Sequence, residues 1–209
     1  MSALNKIAYL QGRRDEEPNE ILAKELADTH DKEGIREIAV NLWNNDKNIQ
    51  SDCIEVLYGI GYLQPELIAE YVFDFLKLLK SKNNRLVWGG MLALSTITET
   101  KSKEIYENLD DIYSAMEKGS VITIDNGVKI LSKLALKSAE YRNRIFPYLI
   151  NHLQTCRPKD IPQHSESILI SVDAKNKNGF LSVLRERQSQ LTSSQLKRIK
   201  RIYKMLDKI

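Results

Sequence analysis

The run NNRLVWGGMLALSTI, from Asn83 to Ile97, carries the plainest pattern in the chain. Gly90, Ala93, Leu94 and Ile97 recur at i, i+3, i+4 and i+7, which gathers them on one side of a helix with 3.6 residues per turn. Asn83 offers a side-chain oxygen to the free N–H groups of a starting helix. Gly90 leaves room for a second helix to come close. Trp88 lies about 160° around the helix from this stripe and so points away from the core, and Leu92 shares its side.

Stepping outward by 37 residues repeats the pattern. Asp46, Asn83 and Ser120 share the capping column. Cys53, Gly90, Gly127 and, after one inserted residue, Ser165 share the small-residue column. Apolar columns follow: Val56, Ala93, Ile130 and Ile168; Leu57, Leu94, Leu131 and Leu169; Ile60, Ile97, Leu134 and Val172. A second helix in each unit keeps the same interval in Ile68, Ile105 and Arg142; Val72, Leu109 and Phe146; Phe75, Ile112 and Leu149; and Leu79, Met116 and Leu153. Arg142 alone breaks its apolar column. An earlier pair of helices is marked by Leu22, Ala23 and Leu26 and by Ile35, Ile38 and Leu42. Gly61 and Gly119 read as helix ends, Pro65 as a helix start, and Pro147 as a kink.

These columns predict an all-α protein, a right-handed superhelix of four to five two-helix repeats spanning about 18–45, 46–82, 83–119, 120–156 and 157–191. Residues 3–11 are expected to add a short amphipathic helix. A basic helix over 193–208 would cap the stack, and the whole of 1–209 forms one domain. Composition agrees: of 209 residues, 9 are Gly and 5 Pro, too few for a fold built from many tight turns. The sequence lacks a secretory leader and an apolar run long enough to span a membrane, so the expected location is the cytoplasm, with no membrane partner. Two Cys and three His are too few for a disulfide framework. Cys53 and Cys156 read as isolated, reduced, buried thiols.

The unit from Asn83 to Ile97 resembles the first helix of a HEAT or armadillo repeat, although Val87 stands where HEAT repeats usually carry a basic residue. The resemblance implies a binding surface rather than an activity, because such solenoids serve unrelated roles. It also implies that the second helices line the inner face. On their outer stripe lie Glu70, Phe73 and Lys77, then Glu107 and Asp110, then Arg144, a groove acidic in its middle repeats and more basic beyond Arg142.

No catalytic constellation is present. Phosphate-cradling glycine motifs are missing, and the adjacent Asp110 and Asp111 point about 100° apart on a helix and cannot face each other. His152 and Cys156 share a helix face and His164 follows, but no fourth ligand accompanies them, so neither metal nor cofactor is assigned. HEAT-like DNA glycosylases of alkylated bases resemble one another in a Trp with an Asp four residues on. Here Trp43 is followed at that spacing by Lys47 and Trp88 by Leu92, so no catalytic residue carries over.

From Lys175 onward the chain holds ten Lys or Arg against Glu186 and Asp207, whereas its other residues hold 21 basic against 26 acidic. Lys197, Lys200, Arg201, Lys204 and Lys208 fall on one stripe of the last helix, opposite Leu196, Ile199, Tyr203 and Leu206. The expected function is therefore a non-enzymatic interaction or scaffold module with a protein or peptide partner along the solenoid. Nucleic-acid binding through the basic stripe is the alternative, and Trp88 with Leu92 is the candidate contact for a homo-oligomer.

Overall fold

The computed structural model describes residues 2–208. Among these residues there are twelve α-helices, several short 3₁₀ turns and no strand. They are α1 (Glu17–Thr29), α2 (Lys32–Val40), α3 (Lys47–Leu63), α4 (Val72–Leu78), α5 (Asn84–Ile97), α6 (Ser102–Glu107), α7 (Leu109–Lys118), α8 (Val121–Lys137), α9 (Ala139–Thr155), α10 (Ile161–Ile168), α11 (Lys177–Glu186) and α12 (Ser193–Leu206). Contacts gather into two compact units, Met1–Gly127 and Val128–Ile209.

The capping column starts the first helices as expected. The Asp46 carboxylate accepts from the Asn48 N–H at 2.8 Å, the Asn83 side chain from the Arg85 N–H at 3.0 Å, and the Ser120 hydroxyl from the Thr123 N–H at 3.4 Å. Every apolar residue of the first-helix columns is buried, as are those of the second-helix columns. They belong to the core of each unit, and removing this apolar surface from water is the main driving force for stacking helices whose outer faces are polar.

The small-residue column does what its sizes require. A Cβ on Gly90 would sit 3.1 Å from both the Leu78 Cβ and the Phe75 carbonyl oxygen, so α5 meets α4 almost backbone to side chain. A Cβ on Gly127 would sit 2.5 Å from Met116. In the first unit α1 packs on α3, α3 on α5 and α4 on α5. In the second, α9 packs on α10 and α11, and α12 packs on both α10 and α11. Thr192 and Gln195 exchange bonds in a capping box that starts α12, and Ile199, Ile202 and Leu206 form its buried stripe.

Several local expectations are corrected. Residues 3–11 form two 3₁₀ turns, Leu4–Lys6 and Tyr9–Gln11, instead of one helix. Gly61 does not end a helix: α3 runs on to Leu63, and a Cβ on Gly61 would meet Ile68 at 2.7 Å, so the residue serves close packing. Pro65 starts a 3₁₀ turn, and α4 begins only at Val72. The second helix of the following repeat is broken at Asn108, which separates α6 from α7. Pro147, by contrast, lies inside a helix as its place in the sequence indicates, within α9. Arg142, the exception among the apolar columns, ion-pairs with Asp173 at 2.6 Å.

Candidate functional site

In the first unit, α1, α3 and α5 lie side by side, and glycine sets their spacing. A Cβ on Gly59 of α3 would stand 2.9 Å from that of Ala23 on α1, and a Cβ on Gly89 of α5 would stand 2.7 Å from Ile54 on α3. The outer sides of these helices therefore form one continuous face. On α3 it presents Ser51, Glu55, Tyr58 and Tyr62 at i, i+4, i+7 and i+11; on α5 it presents Arg85, Trp88 and Leu92 at i, i+3 and i+7.

A cleft of about 550 Å³ opens at one end of this face. Glu55 lies at its base, only 5% exposed, and Asn19 of α1 is 1% exposed. The Asn19 side chain donates to the Glu55 carboxylate at 3.0 Å and accepts from the Ala8 N–H at 2.9 Å. One buried amide thus ties the N-terminal turns to α1 and α3. Arg85 reaches Glu55 at 3.5 Å and Glu16 at 3.8 Å. The lining is mixed in sign, with Arg13, Arg14 and Lys47 alongside Asp15, Glu16 and Asp52.

Loss of hydration pushes the Glu55 carboxyl up to about 7; Glu16 adds to the effect, while the Asn19 bond and the Arg85 charge oppose it. Burial also raises the Tyr58 phenol, with the Glu55 charge adding to it. Beyond the cleft the face becomes aromatic. The Tyr58 ring lies 6.3 Å from that of Tyr62 and 6.0 Å from that of Trp88, and the Arg85 guanidinium lies 5.8 Å from the Trp88 ring. Trp88 and Leu92 are half-buried, whereas Tyr62 is 60% exposed. An arginine, tyrosines and a tryptophan beside a polar cleft form the composition of binding hot spots.

The residues singled out on the second helices lie elsewhere. Glu70, Phe73, Lys77, Glu107 and Asp110 are exposed in the first unit, and Arg144 is exposed in the second. Lys77 lies 4.1 Å from the Trp43 ring centroid, and the Trp43 indole N–H donates to Asp74 at 3.1 Å, so Lys77 is engaged within the chain. Glu107 pairs with Lys103 at 3.9 Å. Lys197, Lys200, Arg201 and Lys204 are exposed along α12, which ends at Leu206 and leaves Lys208 exposed beyond it, and the neighbouring Arg198 makes a bidentate pair with Glu166. Cys156 is half-buried and stands beside both His152 and His164, while Cys53 is fully buried with its thiol pushed up to about 12 by burial.

The sequence patterns did not mark Asn19 or Glu55. Asn19 sits three and four residues before Leu22 and Ala23, a polar residue on a buried stripe, and that placement is the signal that could have found it. Glu55 stands next to Val56 of the core column, and its burial depends on α1 and α5 closing over it from either side.

No family model matches the chain, and no curated protein does. Solved structures do. The chain is similar over its whole length to an engineered protein, with a TM-score of 0.69 and 16% identity, covering 98% of that chain. It is similar to a designed armadillo repeat protein in complex with the peptide (KR)4, with a TM-score of 0.70 and 14% identity, covering 88% of this chain and 85% of that one. A third similar structure comes from computationally designed armadillo repeat proteins for modular peptide recognition, with a TM-score of 0.68, 14% identity and the same coverage. At these identities the likeness concerns the fold. With its buried repeat columns and, among the described residues, only helices, the chain has an all-α repeat fold like that of designed armadillo repeat proteins.

Proposed function

We propose that the chain is a non-enzymatic scaffold that binds a peptide segment of a partner protein on the face formed by α1, α3 and α5. The observation that carries this reading is the continuity of the aromatic surface of Tyr58, Tyr62 and Trp88 with the polar cleft over Glu55 and Asn19. Aromatic side chains supply contact area at low entropic cost, and the cleft supplies hydrogen-bonding groups of both kinds for a peptide backbone. Arg85 belongs to both parts: it lines the cleft and lies near the Trp88 ring. The structural neighbours support the reading, since one was solved with a peptide and another was designed for peptide recognition.

The test is selection of displayed peptides on the full chain, followed by affinity measurements on variants. The expected result is a recurrent motif whose binding weakens at least tenfold in Trp88→Ala and in Arg85→Glu, and is unchanged in Lys200→Glu. Selected peptides that bind both face variants as well as the parent chain would refute the assignment of this face.

A further inference from the structure

The second unit brings together three side chains whose chemistry is that of metal ligands. His152 and Cys156 stand four residues apart at the end of α9, and His164 projects from α10 across the turn Pro158–Asp160. The His152 Nε2 and the His164 Nδ1 are 3.0 Å apart, and one ring nitrogen of each histidine and the Cys156 sulfur lie within 4.8 Å of one another. In a tetrahedral zinc site, Zn–N bonds of about 2.0–2.1 Å and Zn–S bonds of about 2.3 Å place donor atoms roughly 3.3–3.7 Å apart. The three atoms therefore need shifts of well under a side chain's reach to meet one ion.

We propose that His152, Cys156 and His164 bind one zinc-class divalent cation, with water completing the tetrahedron. Two imidazoles and one thiolate form a borderline-soft donor set that suits zinc and disfavours magnesium and calcium, which take oxygen ligands. Without the ion the two ring nitrogens share a hydrogen bond, and on coordination each nitrogen gives its lone pair to the metal instead. On binding, the Cys156 thiol gives its proton to solvent and the sulfur takes the metal in its place.

The surroundings fit a held ion. His164 is 1% exposed, so its ring is fixed by packing, while His152 and Cys156 are half-buried and leave a path for entry. Arg187, just past the end of α11, donates to the Leu153 carbonyl at 2.7 Å and lies 3.7 Å from the Cys156 sulfur. A guanidinium in that place stabilises thiolate charge and holds the end of α9, the part played by outer-shell partners in metal sites. The ion would join α9 to α10, and through Arg187 to α11. That linkage gives the short α10 a constraint beyond its own eight residues.

The sequence alone leaves this group unassigned for want of a fourth ligand. A site with three protein ligands and a water needs none. What the sequence could not show is that the turn at Pro158 folds His164 back onto the end of α9.

The experiment uses the full chain without an affinity tag, reduced and freed of metal with a chelator, and titrated with cobalt(II) as the spectroscopic stand-in. The expected result is saturation at one cobalt per chain, with visible tetrahedral ligand-field bands and a thiolate charge-transfer band in the near ultraviolet, all removed by one equivalent of zinc. Cys156→Ser abolishes the charge-transfer band. His152→Gln weakens binding at least a hundredfold, and Arg187→Gln weakens it about tenfold to a hundredfold. Circular dichroism of each metal-free variant shows whether the helices persist; because His164 is buried, the half-exposed Cys156 and His152 carry the decision. Absence of a charge-transfer band at stoichiometric cobalt in the parent chain, or its persistence in Cys156→Ser, would overturn the proposal.

Discussion

The Asn19 amide donates to the Glu55 carboxylate across the contact between α1 and α3, at 3.0 Å, with both side chains almost wholly buried. Burial of that carboxyl, which the Asn19 bond offsets only in part, couples the stability of the first unit to the ionisation of one acid. With its carboxyl pushed up to about 7, Glu55 binds its proton more tightly in the folded chain than in the unfolded one. The stabilisation is fully present below the unfolded pKa of about 4.5 and is lost as pH rises through about 7.

Glu55→Gln preserves an acceptor for Asn19 and removes the charge. Its expected effect is to raise stability at pH 8 by about 1–3 kcal/mol and to leave it nearly unchanged at pH 5. Denaturant titrations at the two pH values measure this. Equal shifts at both would show that the Glu55 charge is solvated in the folded chain.

Gly90→Leu inserts a side chain where a Cβ would already lie 3.1 Å from Leu78 and from the Phe75 carbonyl. The expected cost is about 1–3 kcal/mol from overpacking between α4 and α5. Thermal melting followed by circular dichroism measures it, and an unchanged midpoint would mean that α5 shifts freely on α4.

Trp88 is half-buried against Tyr58 and lies on the face proposed for binding. In Trp43→Phe, where Trp88 is the sole indole, a selected peptide is expected to shift its emission to the blue and shield it from iodide. Shielding that instead grows with protein concentration in the absence of peptide, together with a dimer in sedimentation, would assign this face to self-association through Trp88 and Leu92.

The basic stripe of α12 is expected to give weak, sequence-indifferent retention on heparin, eluting at low salt because neutralised phosphates or sulfates release condensed counterions. Changing Lys200, Arg201 and Lys204 to Glu should abolish the retention without altering helicity, since Ile199, Ile202 and Leu206 hold the helix in place. Submicromolar affinity for one defined duplex at physiological salt would instead favour nucleic acid as the partner.

The repeat was legible because it is written in residue size and hydropathy. Cys53, Gly90, Gly127 and Ser165 mark helix contacts, and Leu57, Leu94 and Leu131 mark the core whatever their neighbours are. The interruptions were not legible. Asn108 breaks a second helix, and Gly61 reads like a helix end although α3 passes through it, because a glycine is equally apt for a terminus and for close packing. The candidate site was legible only in part. Trp88 and Leu92 stood out by facing away from the stripe, but the burial of Asn19 and Glu55 arises from the approach of three helices and has no periodic trace. His164 likewise meets His152 and Cys156 through a turn whose direction depends on tertiary packing.

Gly59 and Gly89 let α1, α3 and α5 approach closer than a methyl group would allow, and neither is one of the side chains offered to a bound segment. An alanine at Gly59 would push α1 from α3 and spread Asn19 from Glu55, and one at Gly89 would push α5 from α3 and spread Trp88 from Tyr58, in neither case changing a recognising side chain. In a protein built this way, the spacing of the recognition groups can evolve separately from their identity.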